Sequence, residues 1–270
     1  MAMNYYQIQP PEHLKSYIRS CWVLESANPK TSSRVFKTMA DGCPGLIFQP
    51  LHKGTLSQDN KKLSDVFVFG QTTKHAELHL TGSFDMLGIY FYPNALKAIF
   101  DFNPGELTNS CLDLNDLAKR KEQQIAEQLL NTTSVHEQFD ILFGYLTQQI
   151  RNNLRHNHTM EYAMAQILQS KGAVSLKEVQ RYLQLSERSM ERRFKEYIGI
   201  SPKLFSRICR FQASLNNLRN NNFDKLTDIA YENDYADQSH FIRSFKEFAG
   251  VSPLHYQKKS QGIVENLATI

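Results

Sequence analysis

Two sets of hydrogen-bonding side chains stand out by type and spacing: Arg188, Ser189, Glu191, Arg192 and Lys195, then Gln238, Ser239, His240, Arg243 and Lys246. On a helix each set keeps largely to one side, because positions three and four apart are neighbours there. The chemistry on offer is recognition rather than bond making. Arginine grips O6 and N7 of guanine with two bonds, glutamine does the same for adenine, and glutamate accepts from N4 of cytosine. Lysine neutralises phosphate. A single helix with such a face is ordinarily a solvated helix; two in the same frame, in a basic region, point to DNA.

The frame is set by an internal repeat. Phe194-Lys195-Glu196 followed by Gly199-Ile200-Ser201-Pro202 recurs as Phe245-Lys246-Glu247 followed by Gly250-Val251-Ser252-Pro253. Repetition of this kind says that one supersecondary unit is used twice, and here the unit reads as helix–turn–helix. Apolar residues at helical spacing predict the buried faces: Leu176, Val179, Leu183, Leu185, Met190, Phe194 and Tyr197, then Leu226, Ile229, Ala230, Tyr235, Phe241, Phe245 and Phe248. Those residues hold the fold and read nothing. Helices are expected over 161–170, 176–183, 187–198, 202–220, 225–233, 237–249 and 253–259. Pro202 and Pro253 fall at helix starts and Gly199 and Gly250 at helix ends, which is where each is favoured.

The run Asp237-Gln238-Ser239-His240-Phe241, with Arg243, Phe245, Gly250-Val251-Ser252-Pro253 and Tyr256, resembles the signature of the AraC/XylS family of bacterial transcription regulators. The first unit, Leu185-Ser186, Arg192-Arg193-Phe194 and Gly199-Ile200-Ser201-Pro202, is similar to the family's weaker first motif. The resemblance implies that 202–220 is a linker helix fixing two helix–turn–helix units. It also implies that both recognition helices enter successive major grooves, one subunit covering roughly two turns of DNA. By that analogy Arg188, Glu191 and Arg192, with Gln238, Ser239, His240 and Arg243, face the bases. The chain departs from the pattern at Gln184 and Asp234, where glycine is usual in the turn, and at Gln180, where a small alanine is usual. Non-glycine residues at positive φ strain a turn, and Asp tolerates this better than Gln; with its weaker motif, the first unit is therefore the less secure assignment as a DNA reader.

The rest of the 270 residues must carry and position this pair. A length of 270 with 41% hydrophobic residues favours two domains, expected at 1–155 and 159–260. The net charge of +4 is uneven: residues 159–260 hold 16 Lys/Arg against 11 Asp/Glu, and the remainder 15 against 16. The positive excess therefore lies with the repeat, as phosphate binding requires. The first ninety residues predict short strands over 19–24, 35–39, 45–49, 66–70, 77–81 and 86–92, with a polar exposed hairpin loop at 53–64. Helices follow at 94–100, 112–130 and 135–150, with Pro93 in the first turn, Asp113 or Asn115 and Ser134 as caps, and 151–158 as linker. The stripe Ile125, Leu129 and Leu130 is the expected subunit contact, with Phe139, Leu142 and Tyr145 turned inward.

This half fits the family's plan of a cupin-like barrel that binds an effector or pairs subunits, and segments 39–48 and 69–73 resemble a less characterised regulator N-domain. The fold class expected is thus a mainly β N-terminal domain with trailing helices and an all-α C-terminal domain. Trp22, Phe36, Phe48, Phe67, Phe69, Tyr90 and Tyr92 read as barrel core. His75, Glu77 and His79 alternate along an expected strand, but no fourth ligand follows at workable spacing, so no metal and no cofactor is expected.

Cys21, Cys43, Cys111 and Cys209 show no CxxC spacing, which suits free thiols in a reducing cytoplasm. No nucleophile motif, P-loop or dinucleotide fingerprint is present, so no enzyme is expected; the alternative is a metal-dependent cupin-type enzyme fused to a DNA-binding tail. No signal peptide and no membrane span is read. Expected partners are double-stranded promoter DNA and a second copy of the chain, with a small-molecule effector and RNA polymerase as further candidates; whether the protein activates or represses is left open by the sequence.

Overall fold

The computed structural model describes residues 4–26, 34–117, 125–153, 157–220 and 223–259. The chain separates into two compact units, one of residues 1–36, 43–70 and 77–156, the other of residues 37–42, 71–76 and 157–270.

The first unit is built on two antiparallel sheets. The strands are β1 (Asn4–Ile8), β2 (Ile18–Ser26), β3 (Arg34–Thr38), β4 (Gly45–Phe48), β5 (Gly54–Gln58), β6 (Lys61–Lys62), β7 (Val66–Phe69), β8 (Ala76–Gly82), β9 (Phe84–Phe91) and β10 (Cys111–Asp113), of which Lys37 and Thr38 of β3 and Ala76 of β8 fall in the second unit. The six-stranded sheet runs β1-β2-β9-β4-β7-β10 and the four-stranded sheet β3-β8-β5-β6. Alternation along the strands sorts the side chains by face. Cys21 and Val23, Leu46 and Phe48, Val66 and Val68, and Leu87, Ile89 and Phe91 share one core with the helices of this unit. Those helices are α1 (Ala95–Phe100), α2 (Leu114–Leu117), α3 (Ile125–Leu130) and α4 (Val135–Asn152). Ser134 caps α4 by accepting from the Glu137 amide, as its sequence position predicts.

Several expectations need correction. Residues 54–62 are a hairpin of β5 and β6, not a loop; Asp59 and Asn60 turn it at φ of 49° and 62°, which a two-residue hairpin turn requires at both central positions. The polar edge strand β1 was not expected, because four of its five residues are exposed and carry no apolar alternation. Pro93 precedes α1 rather than entering it, with Asn94 at the N-cap. The helix expected over 112–130 is instead β10, the single turn α2 and α3, and its middle, 118–124, lies outside the described residues. Asp113 does hold the start of α2 by accepting from the Asn115 amide at 2.8 Å. The expected linker overlaps the end of α4 and the start of the next helix, and its residues 154–156 also lie outside the described residues.

The stripe chosen as a subunit contact is core. Ile125 is 5% and Leu129 0% exposed, both packed with Phe139, Leu142 and Tyr145 beneath the six-stranded sheet, and only Leu130 reaches solvent. Together with α4, α3 buries Ile125 and Leu129 of its stripe in the unit's own core.

The second unit holds α5 (His158–Gln169), α6 (Leu176–Tyr182), α7 (Glu187–Ile198), α8 (Pro202–Arg219), α9 (Leu226–Glu232), α10 (Gln238–Ala249) and α11 (Pro253–Lys259). One apolar cluster runs through all of it, from Met160 on α5 to Tyr256 on α11. Two short segments from early in the chain, 37–42 and 71–76, belong to this unit. Met39 and Ala40 sit in its core at 1% and 0% exposure. Nothing in their local sequence announces that role.

Candidate nucleic-acid interface

Each recognition helix is started and stopped by its own sequence. Ser186 accepts from the Ser189 amide to open α7, and Asp237 accepts from the His240 amide at 2.6 Å to open α10. Such caps satisfy amides that a helix start would leave without partners. Gly199 and Gly250 close the two helices at φ of 102° and 74°. Ser201 then caps α8 and Ser252 opens α11, so the repeated Gly-x-Ser-Pro stops one helix and starts the next.

The bracing helices are set by paired turns. Gln184 and Asp234 both stand at left-handed φ, 54° and 57°, the places where glycine would be unstrained. Backbone bonds bind each turn: Leu185 N to Gln180 O at 3.0 Å, and Tyr235 N to Ala230 O at 2.9 Å. The second turn gains a further tie, since Arg210 on α8 reaches Asp234 at 3.2 Å and the carbonyl of Gly172 at 3.1 Å.

With the inward faces fixed, the outward ones follow. On α7 Met190, Phe194, Tyr197 and Ile198 are buried, which leaves Arg188, Glu191, Arg192 and Lys195 exposed and Ser189 half-buried. On α10 Phe241, Ser244, Phe245, Phe248 and Ala249 are buried, leaving Gln238, Ser239, Arg243 and Lys246 exposed and His240 half-buried. The expected residues therefore come together as two outward faces. Leu176, Leu183, Leu185 and Leu226 are partly buried against the cluster, and the other expected core positions of the repeat are buried.

The two faces differ electrostatically. On α7 Lys195 pairs with Glu191 at 2.8 Å and Arg192 with Glu196 at 3.6 Å, so much of the charge is answered within the helix. Exposed pairs of this sort contribute little to stability, and they compete with an incoming phosphate or base. Among the described residues Arg243 and Lys246 make no such pair. His240 is held by its neighbours: Nδ1 accepts from the Ala236 amide at 3.4 Å, and the ring meets Tyr235 edge-on at 5.3 Å. That leaves Nε2 as the donor presented outward.

Other exposed side chains that the sequence reading did not single out lie on the same helices or on the bracing ones. Arg193 is also exposed on α7 and adds a cation beside the expected set. Tyr182 and Tyr231, at the ends of the bracing helices α6 and α9, are 69% and 70% exposed, and Tyr182 stacks on Tyr162 at 4.7 Å. Exposed tyrosines at these ends are suited to phosphate contact through their hydroxyls.

Among the described residues two thiols have a clearly shifted titration, and both are shifted away from reactivity. Burial pushes the Cys21 thiol up to about 12. It pushes Cys111 up to about 11 against a smaller opposing pull from Lys61. A reactive cysteine needs the opposite shift. Glu77 and His79 lie on β8 while His75 precedes it, and among the described residues no group of three or more His, Cys, Asp or Glu is placed to hold a metal ion. No helix among the described residues is long and apolar enough to cross a membrane.

Residues 179–259 match a family described as a helix-turn-helix domain, and residues 6–113 a family described as a domain of unknown function, DUF6597. An uncharacterized HTH-type transcriptional regulator of Staphylococcus aureus (strain MSSA476) is 28% identical over 153 residues, 56% of this chain and 20% of that protein. The HTH-type transcriptional activator RhaS of Escherichia fergusonii is 29% identical over 150 residues, 52% of this chain and 51% of the relative. The chain thus spans about a fifth of the length of the first of these curated relatives and half of the second. Among solved structures, ToxT from Vibrio cholerae aligns over 95% of this chain and 97% of its own, at 13% identity and a TM-score of 0.45. A structure of unsaturated fatty acid bound ToxT aligns over 86% and 96%, at 12% identity and a TM-score of 0.43.

Proposed function

We propose that the chain is a sequence-specific regulator of transcription whose residues 179–259, which match a helix-turn-helix family, form a DNA-binding domain of the AraC/XylS type. In this reading α7 and α10 enter successive major grooves of promoter DNA. The observation that carries it is the doubled, identically punctuated reader on one rigid spacer. The spacer α8 has 18 residues, about 27 Å at 1.5 Å per residue, which is of the same order as one turn of DNA at about 34 Å. It packs against both units through a single core that includes Phe205, Ile208, Phe211 and Leu215. Two grooves on one DNA face are thereby addressed by one folded body.

Arg188, Ser189, Glu191, Arg192 and Lys195 are the contacts of α7, and Gln238, Ser239, His240, Arg243 and Lys246 those of α10. The unpaired cations of α10 support it as the stronger reader. Partners in this reading are promoter DNA, a second copy of the chain and, since a relative is named an activator, RNA polymerase. The protein works in the cytoplasm, where promoters are. The sheet-based unit is the sensing or pairing part; a cavity of about 460 Å³ beside the β5–β6 hairpin, lined by Lys61, Lys62, Phe67 and Cys111 among others, is large enough for a small molecule. Selection of duplexes from a pool randomised over about 20 base pairs, two helical turns, tests the reading. Recovery of one motif with two conserved blocks is expected. A pool that stays random after repeated rounds contradicts sequence-specific binding.

A further inference from the structure

The C-terminal end of α10 is capped by chain from far upstream. A helix leaves its last four carbonyls without intrahelical partners. On α10 the Lys246 carbonyl is taken by the Gly250 amide at 3.0 Å. The Phe248 carbonyl accepts from the amide of Ala40 at 3.2 Å. The Glu247 carbonyl faces His75 Nδ1 at 3.5 Å, a long contact. Ala40 and His75 belong to the two upstream segments, 37–42 and 71–76, that fold with the helical unit.

Those segments are also pinned to α8. The Gln212 side chain, 2% exposed, donates Nε2 to the Ala40 carbonyl at 2.6 Å. One residue thus links the two helices: its carbonyl takes a bond from α8 and its amide gives one to α10. Packing is close throughout. Gly42, at φ of 65°, approaches Phe205 and Ile208 of α8 so nearly that an added Cβ would lie 3.3 Å from the Phe205 ring. An added Cβ at Gly250 would stand 2.6 Å from the His75 ring. Thr38 joins the segments to each other by donating to the Ala76 carbonyl at 3.5 Å. Arg207 of α8 adds an ion pair to Glu247 and lies 5.1 Å over the Phe248 ring.

We propose that segments 37–42 and 71–76 are a positioning clamp for the second recognition helix, with Gln212 and Ala40 as its pin. The proposal rests on the DNA-reading account of α10 given above. The clamp touches no base; it sets the angle at which α10 leaves α8, and so whether Gln238, Ser239 and Arg243 meet their base edges together. The bonds from these segments given above fall on α8 and on the end of α10, whereas α7 packs on α5, α6 and α8. The clamp therefore acts on one of the two sites read.

The test uses the full chain and a duplex recovered by selection with the unaltered protein. Gln212→Met keeps the volume and removes the bond, and it also removes the Oε1 atom, which is buried with no hydrogen-bond partner; folding is therefore expected to survive. His75→Ala removes a half-exposed cap without touching the core. With Gln212→Met, specific affinity is expected to fall roughly tenfold, the scale of one buried hydrogen bond. Footprint protection should be lost at the block read by α10 and kept at the block read by α7, with affinity for random duplex unchanged. His75→Ala is expected to move the same block in the same direction by a smaller factor. Equal loss at both blocks, or loss that tracks a fall in thermal stability, makes these segments mere core filling and overturns the clamp. Unchanged protection in both variants overturns it as well. A selection that recovers no sequence at all contradicts the DNA-reading account itself, and the clamp falls with it.

Discussion

At the scale of single residues, Arg243 and its counterparts on α7 show how context sorts chemically similar groups. Arg192 and Lys195 have carboxylates one helical turn away at 3.6 and 2.8 Å. Arg243 has none among the described residues and stands one turn from Ser239 on the exposed face of α10. Arg243→Ala is expected to weaken specific binding by about 1–3 kcal/mol and to relax preference at one base position. Titration against specific and random duplexes checks this, and equal loss on both would assign Arg243 to phosphate. Glycine 250 is the other residue on which much turns. Its φ of 74° and the adjacent His75 ring leave a Cβ no space. Gly250→Ala should destabilise the helical unit by about 1–3 kcal/mol, read as a lower midpoint of chemical unfolding.

Elements show what could be read in advance and what could not. The seven helices described in the second unit were legible from their apolar period, with Gly-x-Ser-Pro marking the ends of α7 and α10 and the starts of α8 and α11. The outward faces followed from the inward ones: Met190, Phe194 and Tyr197 are buried and leave Arg188, Arg192 and Lys195 exposed. The strands rich in Val, Ile and Phe were legible for the same reason, as β2, β4, β7, β8 and β9 bear out. Short elements were not. Lys61-Lys62 pairs as a strand only because the Asp59-Asn60 turn folds it back on Ser57-Gln58. Residues 111–113 become a strand by pairing with Phe67–Phe69, a contact 42 positions away at its first pair, Cys111 with Phe69, that local sequence does not encode. Likewise the stripe of α3 has the same spacing whether it meets a second copy or the chain's own sheet.

Leu129→Glu is accordingly expected to unfold the first unit, since a 0% exposed leucine would become a buried charge. A soluble, folded variant of halved mass would restore the subunit-contact reading. The turns offer the opposite case. Gln184 holds left-handed φ without a side-chain requirement in the fold, so Gln184→Gly should stabilise the first helix–turn–helix by up to about 1 kcal/mol. Thermal unfolding of the two proteins compares them directly. Asp234 should gain less, because its carboxylate already answers Arg210.

For the whole molecule, the order of the chain and the order of the units are not the same. Sequence composition placed a boundary near residue 156, and the helices do begin beyond it, yet Met39 and Ala40 lie within their core. A fragment of residues 157–259 would leave that niche open. Removing one buried methionine is worth about 2–5 kcal/mol in a packed core, so the fragment should melt well below the same unit in the full chain and bind an apolar dye. A fragment as stable as the full chain would show the upstream segments to be dispensable.

The central claim is that one chain reads two successive grooves with α7 and α10, and hydroxyl-radical footprinting of the full chain on its selected duplex tests it most directly. Two protected blocks on one face of the DNA, centred about 10 base pairs apart, are the predicted result, with Arg243→Ala emptying one block and Arg192→Ala thinning the other. A single protected block, unaffected by substitution on one of the two helices, would contradict it.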